Sequence, residues 1–134
     1  MRSNTYHIAT LMTCHNRVKT TLACLDHLLA QEFPYNVSLK IYLVDDGSTD
    51  GTSEKVKNRF PDINLLKGDG NLFWCGGMRL AFGTALKDKF DYYLWLNDDS
   101  ILFQYAIKTM IETSLYCKKE MGNDCIIVGS MQDK

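Results

Sequence analysis

The sequence predicts an α/β protein in which a mostly parallel sheet is flanked by helices. Short apolar segments alternate with segments whose apolar residues recur at helical spacing, which is the pattern of strands joined by crossover helices. Three of the apolar segments also run directly into polar or acidic clusters. The chain has 134 residues, of which 46% are hydrophobic, so it can build one core. We therefore expect a single domain over residues 1–134.

The first half of the chain predicts three strands and two helices. The first helix has apolar residues at helical spacing, among them Val18, Leu22 and Leu25. Pro34 lies just past its end, and Pro61 stops the second, more polar helix. The predicted elements are a strand at 7–13, a helix at 18–31, a strand at 37–44, a helix at 52–60 and a strand at 63–66.

The second half of the chain repeats the alternation after a turn at residues 68–71. Its last helix has an apolar face that includes Ile107, Ile111 and Leu115. The predicted elements are a helix at 74–87, a strand at 91–96, a helix at 101–121 and a short strand at 125–128.

Polar clusters follow the strands at 7–13, 37–44 and 91–96. The carboxyl ends of parallel strands lie at one edge of the sheet, and open α/β sheets bind ligands just outside that edge. We therefore expect the three loops after these strands to converge on one crevice.

Asn97, Asp98 and Asp99 directly follow the buried, aromatic-rich strand at 91–96. Two adjacent carboxylates repel each other, so they must stay solvated or find a cation. Hard oxygen ligands suit Mg²⁺ or Mn²⁺, and such an ion suits a diphosphate. The alternative is an acidic turn that merely ends the strand. A second acidic pair at the end of another predicted strand favours a binding site.

Asp45 and Asp46 form that second acidic strand end. A carboxylate here can accept hydrogen bonds from a ribose hydroxyl or a base N–H. The alternative is helix capping, in which Ser48, Thr49 or Asp50 starts the helix at 52–60. Both functions can hold together, because two adjacent carboxylates exceed what a cap needs.

The first strand runs into Thr13, Cys14, His15, Asn16 and Arg17. A histidine ring can stack on a base, and an arginine can pair with a phosphate. A lone histidine is more often structural and a lone arginine more often solvated, so this segment by itself predicts a site only weakly.

A glycine-rich segment at 70–79 opens the helix that follows it and contains the pair Gly76 and Gly77. Backbone N–H groups at such a helix start can face an anion. The spacing is neither that of a Walker loop nor that of a dinucleotide fingerprint. Close approach of a ligand and close packing against another element both remain open.

Composition limits the classes of partner. The net charge of -1 gives no basic surface for nucleic acid, so we expect no nucleic-acid partner. No apolar run is long enough to span a bilayer. The five cysteines are odd in number and lack Cys-x-x-Cys spacing, which favours reduced thiols in the cytoplasm. Cys14 and Cys75 are interpreted as small fillers near a site rather than as nucleophiles.

Four segments, in this order, resemble the N-terminal half of a family 2 glycosyltransferase with the GT-A fold. The resemblance extends from His7 to Gly129 and rests on residues 13–17, 44–50, 71–77 and 96–99. Residues 126–130 also resemble the strand that follows the metal motif in that family. The form of residues 71–77 is most similar to the bacterial rhamnosyltransferase branch.

The resemblance implies a donor-binding site that draws on all four segments. Its residues are Thr13, His15, Asn16, Arg17, Asp45, Asp46, Asn71, Gly76, Gly77, Asn97 and Asp98. His15 is implied to stack on the nucleobase and Asp45 to hydrogen-bond it. Asp99 is implied to bind the Mn²⁺ or Mg²⁺ ion that bridges the diphosphate and stabilises the leaving group.

The sequence departs from the family pattern at two places. Asn97 stands where the Asp-x-Asp motif begins with aspartate, which removes one negative charge. Met78 and Arg79 are the nearest positions to an Arg-Asn pair that the family often carries. The first departure affects the affinity for the metal, and the second affects the contact with the phosphate side of the donor.

The activity implied is inverting transfer of a sugar in polysaccharide synthesis. The donor would be a nucleoside-diphosphate sugar of the UDP, dTDP or GDP type, and the acceptor a saccharide or lipid-linked saccharide. The fold is expected to be truncated on its C-terminal side, with the general base beyond Lys134. The chain alone is then expected to be inactive, while the parent enzyme acts in the cytoplasm or at the inner face of the membrane.

Three other functions are open to a chain of this pattern. A flavodoxin-like regulator domain would have an acidic pocket but not the segment with Gly76 and Gly77. A sugar-nucleotidyltransferase needs a glycine-rich loop after its first strand, and residues 13–17 contain no glycine. A non-catalytic nucleotide-binding or assembly module is the stronger rival. An apolar segment at 126–128 would favour self-association of such a module.

Overall fold

The sheet has four parallel strands in the order β3-β2-β1-β4, as a computed structural model of residues 5–132 shows. Residues 1–4 and 133–134, which the single-domain prediction includes, lie outside the described residues. The prediction of a parallel α/β sheet flanked by helices is confirmed. The elements are β1 (Tyr6–Cys14), α1 (Val18–Leu29), β2 (Val37–Asp46), α2 (Thr52–Arg59), β3 (Asn64–Gly68), α3 (Phe73–Ala85), β4 (Tyr92–Trp95) and α4 (Ala106–Met121).

The strand register brings the carboxyl ends of β1, β2 and β4 to the same edge. The central strand β1 pairs with β2 along its full length and ends with Cys14 beside Asp45. On its other side β1 pairs with β4, where Leu11 lies beside Trp95. The chain after β4 stays on this edge, since Leu96 N–H donates to the carbonyl of Leu11 at 3.1 Å.

Helices cover both faces of the sheet because side chains alternate along each strand. Helices α1, α2 and α4 contribute buried residues to the core on one face, including Leu25, Val56 and Ile111. Helix α3 packs on the other face through Met78 and Ala81. No helix within residues 5–132 is long and apolar enough to cross a membrane.

Helix α4 starts five residues later than predicted because a distant side chain fixes its beginning. The side chain of Gln31 donates to the carbonyl of Phe103 at 2.7 Å and accepts from the N–H of Ile107 at 3.1 Å. Glu32 N–H also donates to the carbonyl of Gln104 at 3.1 Å. These contacts hold residues 103–104 outside the helix and supply a partner for one of its first N–H groups.

The prediction of a strand at residues 125–128 is wrong, because residues 124–132 form neither helix nor strand. In the described part of the chain no neighbouring strand pairs with this segment. Ile126 and Val128 are therefore left 94% and 83% exposed. The other predicted elements are present, and apart from the start of α4 their ends differ by at most two residues.

Candidate functional site

The loops after β1, β2 and β4 meet at one edge of the sheet, as predicted. Arg17, which precedes α1, bridges both carboxylates after β4. Its Nη1 lies 3.0 Å from Asp98 Oδ1, and its Nη2 lies 3.0 Å from Asp99 Oδ2. The β1 and β2 loops are joined by Asn16 N–H, which donates to Ser48 Oγ at 2.8 Å. These bonds fix the three loops relative to one another.

A cavity of about 350 Å³ opens at this edge. Its lining combines a cation, two carboxylates, an amide and an indole. The lining residues are Arg17, Trp74, Asn97, Asp98 and Asp99. The cavity can therefore make charged, polar and apolar contacts with one ligand.

The two carboxylates of the cavity differ in environment. Asp98 is buried, and besides Arg17 it accepts a hydrogen bond from Thr21 Oγ1 at 3.4 Å. Burial raises the pKa of the Asp98 carboxyl, and the nearby Arg17 charge opposes this shift. Asp99 is exposed and lines the cavity. Asp99 is thus the carboxylate that is more accessible to a ligand.

Asp46 holds the loop that leads into α3. Its Oδ1 accepts the N–H of Gly70 at 2.8 Å, and its Oδ2 accepts the N–H groups of Leu72 and Phe73 at 3.0 and 2.9 Å. The side chain is buried. All three bonds are made to the protein backbone, so Asp46 shapes the crevice, while its contact with a nucleotide stays a prediction.

Asp45 and Asp50 organise the start of α2. Asp45 accepts the N–H of Ser48 at 3.1 Å and the hydroxyl of Ser53. Asp50 accepts the N–H of Thr52 at 3.1 Å and also that of Val18, the first residue of α1, at 3.0 Å. The N-cap residue of α2 is Gly51, so the prediction that Ser48, Thr49 or Asp50 caps this helix is wrong. Asp50 lies one residue earlier, and its carboxylate ties the first residues of two helices together.

Asn16 and His15 join the β1 and β2 loops. Asn16 has a φ of +49°, a left-handed conformation that asparagine tolerates better than most residues. Its Oδ1 accepts the N–H of Thr49 at 2.7 Å. His15 Nδ1 donates to the carbonyl of Asp46 at 2.6 Å, which orients an imidazole that is otherwise exposed. The ring is therefore fixed in orientation at the rim of the crevice.

Gly77 allows α3 to approach the end of β1. A Cβ atom at Gly77 would lie 2.1 Å from Thr13 Oγ1, and Thr13 is itself buried. Close packing of helix on strand is thus the reason for this glycine. At Gly76 the nearest atom to an added Cβ is Leu72 Cβ at 3.1 Å, a milder constraint. Asn71 is exposed beside this helix start.

Cys14 lies buried beneath the crevice. Its burial, with the nearby charges of Asp45 and Asp98, raises the pKa of the thiol to about 12. The thiol therefore stays protonated at neutral pH, which fits a filler and not a nucleophile. Cys75 is exposed.

Sequence reasoning did not assign Trp74 and Thr21 to the site. Trp74 lines the cavity, and its Nε1–H donates to Asn97 Oδ1 at 3.1 Å. Thr21 follows Arg17 by one helical turn, so both residues face Asp98. That spacing on α1, and the position of Trp74 at the start of a helix entering the crevice, are the signals that could have identified them.

The donor atoms of the cavity fit a hard divalent cation. Asp98 and Asp99 offer carboxylate oxygens and Asn97 an amide oxygen, the types that Mg²⁺ and Mn²⁺ prefer. Within residues 5–132 there is no group of three or more His, Cys, Asp and Glu residues arranged to hold a metal. Because Arg17 pairs with both carboxylates, an ion at Asp99 must share that carboxylate with the guanidinium or displace it.

Comparisons with known proteins match this chain to a family. The model of "Glycosyl transferase family 2" matches residues 10–115. No curated protein matches the chain. Among solved structures, S. aureus TarS 1–349 in complex with UDP-GlcNAc matches with a TM-score of 0.64 and 18% identity, over 85% of this chain and 32% of that one. The same protein in complex with UDP matches with a TM-score of 0.64 and 19% identity, over the same shares.

A second solved protein gives a similar result. The mannosyltransferase PcManGT from Pyrobaculum calidifontis, in complex with GDP-Man and Mn²⁺, matches with a TM-score of 0.60 and 20% identity, over 70% of this chain and 28% of that one. At these identities the likeness shows the fold. The chain spans about a third of the length of these solved proteins.

Proposed function

Because the chain belongs to glycosyltransferase family 2 and has its GT-A fold, we propose that it carries the donor site of an inverting glycosyltransferase. The reaction would move a sugar from a nucleoside diphosphate to an acceptor hydroxyl. The observation that carries the proposal is the cavity at the end of β4, where Asp98 and Asp99 lie beside the Arg17 guanidinium. Proteins bind diphosphates through cationic side chains and through metal ions held by carboxylates, and this cavity contains one guanidinium and two carboxylates.

The base and the diphosphate occupy different parts of the crevice in this proposal. His15 stacks on the nucleobase from the rim, while Asp45 accepts a base N–H on a carboxylate whose lone pairs are only partly used. Arg17 binds phosphate. Asp99 holds Mn²⁺ or Mg²⁺, which supplies Lewis-acid stabilisation of the departing diphosphate when bound. Asp98, held by Arg17 and Thr21, keeps this end of β4 in position.

The solved relatives support the class of ligand. TarS has been crystallised with UDP and with UDP-GlcNAc, and the mannosyltransferase with GDP-Man and Mn²⁺. UDP-GlcNAc and GDP-Man are both nucleoside diphosphates that carry a sugar. They support a donor of this class for the present chain and leave the base to be measured.

Calorimetric titration of the chain with UDP, dTDP and GDP, with and without Mn²⁺, tests the proposal. One nucleotide is expected to bind in a Mn²⁺-dependent manner, and Asp99→Ala to abolish that dependence. Asp88→Ala is the matched control, because Asp88 pairs with Lys40 beyond the other end of α3. Binding of none of the three nucleotides, or equal Mn²⁺ dependence in Asp99→Ala, would contradict the proposal.

A second candidate, an assembly module, is favoured by one observation. Ile126, Val128 and Met131 are almost fully exposed in the segment after α4. Clustered exposed apolar side chains favour association. Light scattering after size exclusion distinguishes the two candidates: a dimer that Val128→Asp converts to monomer, without any nucleotide binding, would favour assembly over transfer.

A further inference from the structure

The two tryptophans of this protein meet beside the cavity. Trp74, in the first turn of α3, and Trp95, the last residue of β4, have ring centroids 6.1 Å apart with an interplanar angle of 58°. They are 51% and 50% exposed. Large aromatic side chains dominate cores and interfaces, so a half-exposed pair at the rim of a ligand cavity requires an explanation.

The indole of Trp74 is held in one position. Its Nε1–H, the only polar group of the ring, donates to Asn97 Oδ1 at 3.1 Å. Behind it, Trp95 packs against Phe82 with ring centroids 5.9 Å apart. Because the polar atom is already bonded, the exposed surface of Trp74 is apolar and preorganised.

The backbone next to Trp74 is strained. Phe73 has a φ of +53° although it is not glycine, and it is 75% exposed. Its N–H is bonded to Asp46 at 2.9 Å, which holds this conformation. For a bulky residue this is an outlier, and such outliers concentrate at ligand sites. The strained residue sets the direction in which the chain enters α3 and therefore where Trp74 stands.

The cavity as a whole matches an amphipathic ring. Trp74 supplies one apolar wall, while Arg17, Asn97 and Asp99 supply hydrogen-bonding and charged groups on the others. A pyranose has the same division, because one face carries C–H groups and its edge carries hydroxyls. A hydrocarbon chain would remove water from the charged and polar walls without offering them a hydrogen bond.

We propose that Trp74, braced by Trp95, is the stacking platform for the sugar ring of the nucleoside-diphosphate sugar. The inference rests on the proposed function, since the carboxylates and Arg17 of the same cavity would hold the diphosphate. It adds that the sugar, and not only the nucleotide, contributes to donor affinity in this part of the protein.

The test compares each nucleoside diphosphate with its sugar conjugate in the presence of Mn²⁺: UDP with UDP-GlcNAc, GDP with GDP-mannose, and dTDP with dTDP-rhamnose. For at least one pair the conjugate is expected to bind more tightly than the diphosphate. Trp74→Ala should weaken binding of the sugar conjugate by about threefold to tenfold, which is the range of one aromatic stacking contact. The same variant should change the affinity for the diphosphate by less than about twofold. Trp74→Phe should restore most of the affinity for the conjugate.

Fluorescence gives an independent readout. In Trp95→Phe the only tryptophan is Trp74, so the conjugate should change its emission more than the diphosphate does. Tyr116→Ala, which removes an exposed aromatic side chain on α4, is the control and should change neither affinity. Unchanged thermal unfolding of Trp74→Ala verifies that the variant folds, as expected for a half-exposed side chain.

The outcomes separate the two proposals. If a diphosphate binds but its conjugate binds no better, or if Trp74→Ala weakens both equally, the platform is refuted and the donor site stands. If neither diphosphates nor conjugates bind, both proposals fail.

Discussion

Arg17 Nη2 lies 3.0 Å from Asp99 Oδ2, so a side chain of the protein already occupies the carboxylate that is proposed to bind the metal. The same guanidinium also reaches Asp98 at 3.0 Å. This arrangement lowers the repulsion between two adjacent carboxylates when no ion is bound. It also makes Arg17 a competitor of the ion that the donor site requires.

Arg17→Ala should therefore bind Mn²⁺ alone about thirtyfold more tightly, since the repulsion between a unit charge and a divalent ion about 4 Å apart in water is about 2 kcal/mol. Titration of the free protein with Mn²⁺, followed by electron paramagnetic resonance, measures this directly. Arg59→Ala, which breaks the exposed pair with Asp26, is the control. Unchanged or weaker Mn²⁺ binding in Arg17→Ala would mean that the guanidinium does not compete.

Asp50 should make stability depend on pH in the acidic range. Hydrogen bonds from Thr52, with the backbone N–H of Val18 adding to them, hold the pKa of Asp50 below the ordinary 3.8. The unfolded chain therefore takes up a proton at a pH where the folded chain does not, and stability falls as pH falls through this window. The contribution is fully present above the ordinary pKa.

The comparison of the wild type with Asp50→Asn isolates this effect, because asparagine keeps an acceptor but cannot titrate. The difference in free energy of unfolding, measured by urea denaturation, should shrink as pH is lowered from about 5 to about 3. A difference that stays constant over this range would show that Asp50 does not titrate as inferred.

The convergence of the site could be predicted because it follows from strand direction alone. Once three strands are parallel, residues after their carboxyl ends must share an edge, and Arg17, Asp45 and Asp98 do so. The contacts inside that edge are set by tertiary distances that periodicity does not encode. Asp46 shows this, because its three backbone partners lie 24 to 27 residues further along the chain.

The same reason explains the two errors in the elements. The apolar periodicity of 101–121 is continuous, but the start of α4 is fixed by Gln31, which lies 76 residues before Ile107. Residues 125–128 have the composition of a strand, but a strand needs a neighbour, and none pairs with them within residues 5–132.

Asp46→Ala should destabilise the fold strongly, although Asp46 ends β2 at the edge where ligand-binding residues typically lie. It would leave the N–H groups of Gly70, Leu72 and Phe73 without their charged acceptor, and we expect a loss of about 3 kcal/mol. Urea denaturation measures this loss. Asp62→Ala, at an exposed turn, should change stability by less than about 0.5 kcal/mol. A similarly small change at Asp46 would mean that water replaces the carboxylate at no cost.

Gly77 and Gly83 form a matched pair on α3, because both are helical glycines and only one is crowded. A Cβ at Gly77 would lie 2.1 Å from Thr13 Oγ1, whereas a Cβ at Gly83 would have no atom within 4 Å. Gly77→Ala should therefore destabilise by about 1–3 kcal/mol through overpacking. Gly83→Ala should stabilise by about 0.5–1 kcal/mol, because alanine loses less conformational entropy in a helix.

The sign of the two changes is what thermal and urea unfolding must show. Gly77→Ala should also weaken nucleotide binding, since relief of the clash moves Thr13 at the end of β1, next to the crevice. Stabilisation at both positions would mean that α3 can shift away from β1 without penalty. In that case the close approach at Gly77 would not determine where α3 starts against the edge of the sheet, nor where Trp74 lies.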